Sequence, residues 1–274
     1  SDHGEVLDLR VPIPGEQPRP DGRMNVAGRW RSVRYSSSKD FVHWTDTKLC
    51  DFAPPLSMDE QLYTNAVQPY FRAPHIYIGM PKRFAPFRHK ILEHQPGVSD
   101  GGFMTSRDGV HWKLWREAFI RPGLDQQNWV NRNNMPAFGM LETAPGEISV
   151  YWRQHSKGDV CRLRRGTVRT DGFVSVNAGY GGGELVTKPL TFSGRELVIN
   201  YSTSGFGSVK VELQDGPGSA LDGYSLAQCP VLYGDDIEHV VSWVGGVDVS
   251  GLVGQPVRLR FVLKDADLYS FRFR

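Results

Sequence analysis

Short runs of alternating apolar and polar residues, broken by Gly, Pro, Asn and Asp, pattern this chain, and a period of two predicts β-strands. The first clear run is 29–37, with a return at 45–52. Next comes 62–70, unusually polar for a buried strand through Tyr63, Asn65 and Gln68. Residues 75–81 are apolar enough for a buried strand, and 101–106 has a partner at 113–118. Residues 82–96 are basic and irregular and read as a loop with one helical turn. Residues 122–134 form a polar loop leading into 135–140. Residues 147–153 and 160–168 predict a hairpin turning at 155–159, which leaves His155 at the surface. Ahead of these, Pro12, Pro14, Pro18 and Pro20 forbid a regular helix in 1–28 and leave an extended arm with one short strand near 6–11.

The pattern changes near Asn177. Gly179-Tyr180-Gly181-Gly182-Gly183 marks a joint, and short runs follow at 184–187, 196–201, 208–213, 239–243, 257–263 and 268–273. Residues 195–201 and 257–263 alternate cleanly, which fits strands with one wet face. Six short strands with Gly-Pro turns predict a two-sheet sandwich. The expected division is a β-propeller-like domain over 1–177 and a β-sandwich over 178–274.

One motif recurs. Ser38-Lys39-Asp40-Phe41-Val42-His43-Trp44 and Ser106-Arg107-Asp108-Gly109-Val110-His111-Trp112 lie 68 residues apart. A weaker copy, Arg169-Thr170-Asp171-Gly172-Phe173-Val174, keeps the Asp and loses the His-Trp. The Asp closes a turn with its own carboxylate, and the Trp can wedge between neighbouring sheets. These residues read as turn-holders, not catalysts. A turn-and-Trp unit at such spacing predicts radially repeated sheets.

Composition narrows the classes. Thirty glycines, 18 prolines and 11% aromatics over 274 residues describe a turn-rich, all-β chain with room for one or two cores. A net charge of +2 with both signs interspersed gives no reason to expect nucleic acid or a membrane surface as partner. No apolar run is long enough to span a bilayer, and no signal peptide is visible. Cys50, Cys161 and Cys229 lack zinc spacing; three free thiols, or one bridge and a free thiol, both fit.

The order of parts resembles the β-propeller glycoside hydrolases: Ser-x-Asp-x-x-His-Trp turns, a Gly-rich joint, then a sandwich ending in Leu263-Lys264-Asp265-Ala266-Asp267-Leu268-Tyr269-Ser270-Phe271. The nearest groups are the family 32, 43 and 117-like enzymes and sialidase-type propellers. The resemblance implies an all-β propeller followed by a sandwich, a carbohydrate substrate, no cofactor beyond a structural Ca²⁺, and an extracytoplasmic location. The chain departs from the pattern in two respects. Residues 1–177 hold material for roughly three blades where those enzymes have five, so the propeller is incomplete or completed by upstream blades or another copy. The family's N-terminal catalytic Asp context, its Arg-Asp-Pro and its Glu-Cys elements have no counterpart, so catalytic residues do not transfer motif by motif.

The candidates therefore come from local chemistry. Glycoside hydrolysis commonly takes two carboxyl groups across a cleft. Asp59 and Glu60 stand at the mouth of the polar run 62–70, Asp100 precedes Gly101-Gly102, and Asp125 opens the polar loop before 133–140. Tyr63 and Asn65, two apart, share a strand face. Arg132, Asn133 and Asn134 can hold hydroxyls or a carboxylate, Trp129 and Trp152 can stack on sugar rings, and His155 can carry a proton. No metal-ligand cluster is visible. Three functions follow: a glycoside hydrolase, a non-catalytic carbohydrate-binding protein, or a structural assembly domain whose open sheet edge pairs with another chain.

Overall fold

The structure, a computed structural model, describes residues 9–10, 29–57, 60–86, 88, 97–156 and 158–274. Asp59, most of the arm 1–28 and most of 86–96 lie outside the described residues. What is described is nearly all β, as the alternation predicts, and it divides into two compact units. The first holds residues 1–141 and 149–166; the second holds 142–148 and 167–274.

The first unit is a succession of sheets, antiparallel except where His111–Lys113 runs parallel to Asp51–Ala53. Leu9–Arg10 pairs with Arg29–Trp30, and Arg34–Tyr35 with Lys48–Leu49. The main sheet centres on Val98–Ser106, flanked by His111–Ile120 on one side and by Ala73–Gly79 and Lys82–Ala85 on the other. Its register places Phe103 opposite Trp115, Met104 opposite Leu114 and Ser106 opposite Trp112. Val33, Cys50, Leu62, Met104, Trp112 and Leu114 form the core beneath it. Val33, Leu62, Met104 and Leu114 each contribute roughly 1.5–3 kcal/mol on full burial. Within this unit Met135–Pro136 also pairs with Arg153 and Trp152 of the strand Glu147–Gln154.

The two complete motif copies form one turn twice. Ser38 Oγ donates to Asp40 Oδ1 at 3.0 Å, and Ser106 Oγ to Asp108 Oδ1 at 3.0 Å. Each Asp accepts the backbone N–H groups two and three residues on, and its other oxygen meets the His Nδ1 at 2.7 Å in both copies. The residue after each Asp is left-handed: Phe41 at φ 60 and Gly109 at φ 77. The Trp residues differ. Trp112 is 3% exposed and donates Nε1–H to Gly109 O at 3.0 Å, so it wedges as expected; Trp44 is 46% exposed and does not.

Three expected elements are corrected. Residues 82–96 are not simply a loop: Lys82–Ala85 is a strand, paired in register with Val98–Gly101. Its Lys-Arg charge masked an alternation that buries Lys82 and Phe84 on one face. The run 62–70 is not one strand. Gln61–Leu62 and Gln68–Tyr70 are separate, and Ala66 between them sits at φ 44, outside extended geometry. His155 is not a surface residue: it is 5% exposed.

The second unit is one five-stranded antiparallel sheet built around two long strands, where the sequence predicted two sheets of short ones. The runs 196–201 and 208–213 are one strand, Leu197–Gln214, and 257–263 with 268–273 are another, Arg258–Phe273. They pair along their whole length, with a register shift between Thr203 and Ser208. Gly207 and Asp265, the latter at φ 43, lie at that shift. Gly183–Val186 pairs with one half of Arg258–Phe273 and Val176–Ala178 with the other, while Asp235–Val240 pairs with the first half of Leu197–Gln214. Residues from both halves (Leu197, Ile199, Val209, Val211, Leu259 and Phe261 among them) share one core. Trp243 enters that core and donates to Val211 O at 3.0 Å. The expected strand 239–243 is Asp235–Val240, and Trp243 follows it as an isolated bridge.

Candidate functional site

All the described candidates belong to the first unit, in three groups. The first is a carboxylate–guanidinium network. Arg83, on the strand Lys82–Ala85, grips both oxygens of Asp100, at 2.8 and 2.7 Å. It also reaches Glu60 Oε1 at 3.4 Å and Arg116 O at 2.6 Å. Arg116 completes the set by binding the other Glu60 oxygen and Pro55 O. Burial alone would lower Arg83, but its bonds to Asp100 and Glu60 outweigh this and hold it above its ordinary value. The structure thus brings together two of the predicted carboxylates, with all four oxygens on guanidinium groups. Such a fork fixes geometry strongly.

The second group is the polar loop. Asp125 caps the short 3₁₀ turn Gln126–Asn128 by accepting from Gln127 N at 3.0 Å. Its other oxygen is 2.6 Å from Nε2 of the buried His155. That bond, and then the Gln127 amide, holds the Asp125 carboxyl below the usual carboxylate range. His155 and Arg132 both have positive φ, at 55 and 74. Asn133 and Asn134 are fully buried and act as braces. Asn133 donates to Gln127 O at 2.6 Å and accepts from Ser156 N at 2.7 Å; Asn134 donates to Ser99 O at 3.0 Å. Trp129 donates to Gly123 O at 2.7 Å, and Trp152 packs over Gly166.

The third group was not nominated from sequence as a whole. Tyr63 is 45% exposed, and its ring has the Lys82 ammonium 4.3 Å from its centre and the Arg31 guanidinium at 5.0 Å. Lys82 is 3% exposed and donates to Asn131 Oδ1 at 3.3 Å. Burial first, then the charges of Arg31, Arg132 and Arg153, push Lys82 down to about 7. Arg153 spans to Arg132 O at 3.2 Å. Sequence reasoning named Tyr63 and Arg132 and missed Lys82, Asn131, Arg31 and Arg153. The available signal was the alternation of Lys82 with Phe84, which places a lysine on the buried face. Asn65 is partly buried. Among the described residues, no three His, Cys, Asp or Glu side chains gather in a metal-binding arrangement.

No known family description matches the chain, and no curated protein matches it. Solved structures similar to it include two glycoside hydrolases. A glycosyl hydrolase from Bacteroides ovatus is 20% identical, over 38% of this chain and 28% of its own, with a TM-score of 0.29. A glycoside hydrolase family 43 arabinoxylan arabinofuranohydrolase from Bacillus subtilis, in complex with cellotetraose, is 11% identical, over 98% of this chain and 63% of its own, with a TM-score of 0.29. The chain spans less than two thirds of either protein.

Proposed function

We propose that this chain is a carbohydrate-binding protein, and that the saccharide rests on the face carrying Tyr63, Lys82, Asn131 and Arg132. One observation carries this reading: a half-exposed tyrosine ring fixed beside a buried lysine at 4.3 Å. Lys82 and Arg31 stand over the ring, and its remaining exposed surface offers a plate for the apolar C–H face of a sugar, with donors close by for the hydroxyls. The reading agrees with what the turn motif's resemblance implies and puts binding ahead of bond cleavage, because Arg83 and Arg116 occupy Glu60 and Asp100. The test is calorimetric titration with cellotetraose, xylotetraose, tetra-galacturonate and a κ-carrageenan tetrasaccharide. At least one should bind, and Tyr63→Ala should weaken it about tenfold, the scale of one lost aromatic contact. Binding untouched by Tyr63→Ala would sink the assignment.

A second reading, glycoside hydrolysis, is favoured by the 2.6 Å bond between buried His155 and half-exposed Asp125. In that reading the Asp125–His155 pair handles the proton. New reducing ends from the same panel, abolished by Asp125→Asn in a folded protein, support it. Cleavage that survives Asp125→Asn removes the pair from the chemistry.

A further inference from the structure

The basic groups around Lys82 come from four separate parts of the fold, and two of them, Lys82 and Arg31, stand over the Tyr63 ring. Arg31 follows the strand Arg29–Trp30, Lys82 opens the strand Lys82–Ala85, Arg132 ends the polar loop, and Arg153 lies on the strand Glu147–Gln154. Their charges act on one point, the Lys82 ammonium. That ammonium has three N–H donors. Among the described residues it meets one acceptor, the neutral Asn131 Oδ1 at 3.3 Å, and the face of Tyr63. The Arg132 guanidinium is exposed, and among the described residues it makes no hydrogen bond or ion pair. The Arg153 Nε is buried and also unpartnered among them. Elsewhere in this unit Arg83 and Arg116 each hold a carboxylate.

Gathering like charges around a buried ammonium is unfavourable, and either the loss of its proton or the arrival of a balancing anion relieves it. The balancing group must be small enough to sit at Lys82 and must offer several acceptor oxygens. It must also be attached to something that covers the Tyr63 ring. A carboxylate or sulfate meets the first two demands, since arginine forks bind either through paired oxygens and lysine binds as a point charge. A sugar ring meets the third. Resting on the saccharide reading of this face, we infer that its ligand is an acidic saccharide, a uronate or a sulfate ester, whose anionic group sits against Lys82, Arg132 and Arg153 while the sugar ring lies on Tyr63.

The experiment is calorimetric titration of the full chain with four probes: tetra-galacturonate, a κ-carrageenan tetrasaccharide, neutral cellotetraose, and sodium sulfate alone. One acidic tetrasaccharide should bind at least about tenfold tighter than cellotetraose, the scale of one charge-assisted contact. Its affinity should fall as salt rises. Arg132→Met, on an exposed side chain, should bring it down toward that of the neutral probe. Cellotetraose binding as tightly as both acidic probes overturns the inference and leaves the saccharide reading standing. Sulfate alone matching the acidic saccharides also overturns it, because the site would then serve a free anion. No tetrasaccharide binding at all overturns both readings. Preference for the acidic probe that survives Arg132→Met and high salt moves the anion elsewhere and overturns the assignment to this cluster.

Discussion

Asp108 and His111 show how much one exposed turn sets by itself. The 2.7 Å bond from His111 Nδ1 to Asp108, reinforced by Asp51 3.5 Å from Nε2, raises the imidazole above its ordinary value. The same bond, followed by two backbone amides, depresses Asp108. The histidine's contribution is full below its unfolded pKa and is lost as pH rises through its raised folded value. The carboxylate's contribution is present above its unfolded pKa and is lost as pH falls through its depressed one. The pair is therefore strongest in mildly acidic solution. An NMR titration should place His111 above a free histidine, and Asp108→Asn should bring it back; an unmoved His111 would contradict the pairing.

Lys82 works in the other direction. Its folded value is depressed to about 7, by burial first and by Arg31, Arg132 and Arg153 second. The cost of burying its charge is in force below 7 and relaxes as pH rises from there toward the unfolded lysine value of about 10.4. Thermal melts of the ligand-free protein should gain stability over that window relative to Lys82→Met. Parallel curves for the two proteins would mean the ammonium is not confined as described.

At the scale of elements, the second unit depends on its two long strands bending together. A Cβ on Gly207 would meet the backbone oxygens of Asp265 and of Lys264, the latter at 2.9 Å. Backbone cannot step aside cheaply, so Gly207→Ala should cost about 1–3 kcal/mol in denaturant unfolding, the usual range for overpacking. A cost near zero would mean the bend lies elsewhere. The Arg83 network makes a parallel claim. Asp100→Asn removes a charge-assisted pair and should cost about 2 kcal/mol whether or not the protein has any activity. A stable Asp100→Asn variant that lost only turnover would instead mark Asp100 as catalytic.

Strand positions were legible because period-two alternation survives in sequence. The breaks were not: nothing in 62–70 announces Ala66 at φ 44, and the Ser- and Gly-rich run between 201 and 208 looks like a loop although pairing continues on both sides of it. The Ser-Asp-His turns were the most legible feature, since every bond in them is local. His155 and Lys82 were the least legible. Each is buried by partners far along the chain, Asp125 and Asn131.

For the whole molecule, the cysteines give a simple check on packing. All three are unpaired; Cys50 and Cys229 are buried and Cys161 is exposed. Burial pushes the Cys50 thiol up to about 11 and raises Cys229 as well, which suppresses thiolate at both. An alkylating reagent at neutral pH should label one thiol in the folded protein and three after denaturation; two or three labelled under native conditions would contradict the described cores. No helix among the described residues is long and apolar enough to cross a membrane. The proposed saccharide site is where strands and loops distant in the first unit's sequence converge on Tyr63 and Lys82, while the predicted carboxylates Glu60 and Asp100 are held by arginine. The most direct measurement is a crystal structure of the chain soaked with the tightest-binding tetrasaccharide of the panel. A sugar ring stacked on Tyr63, with its polar groups reaching Lys82 and Arg132, is the predicted result. A ligand lodged against Asp125 and His155, or on the second unit, would contradict the account.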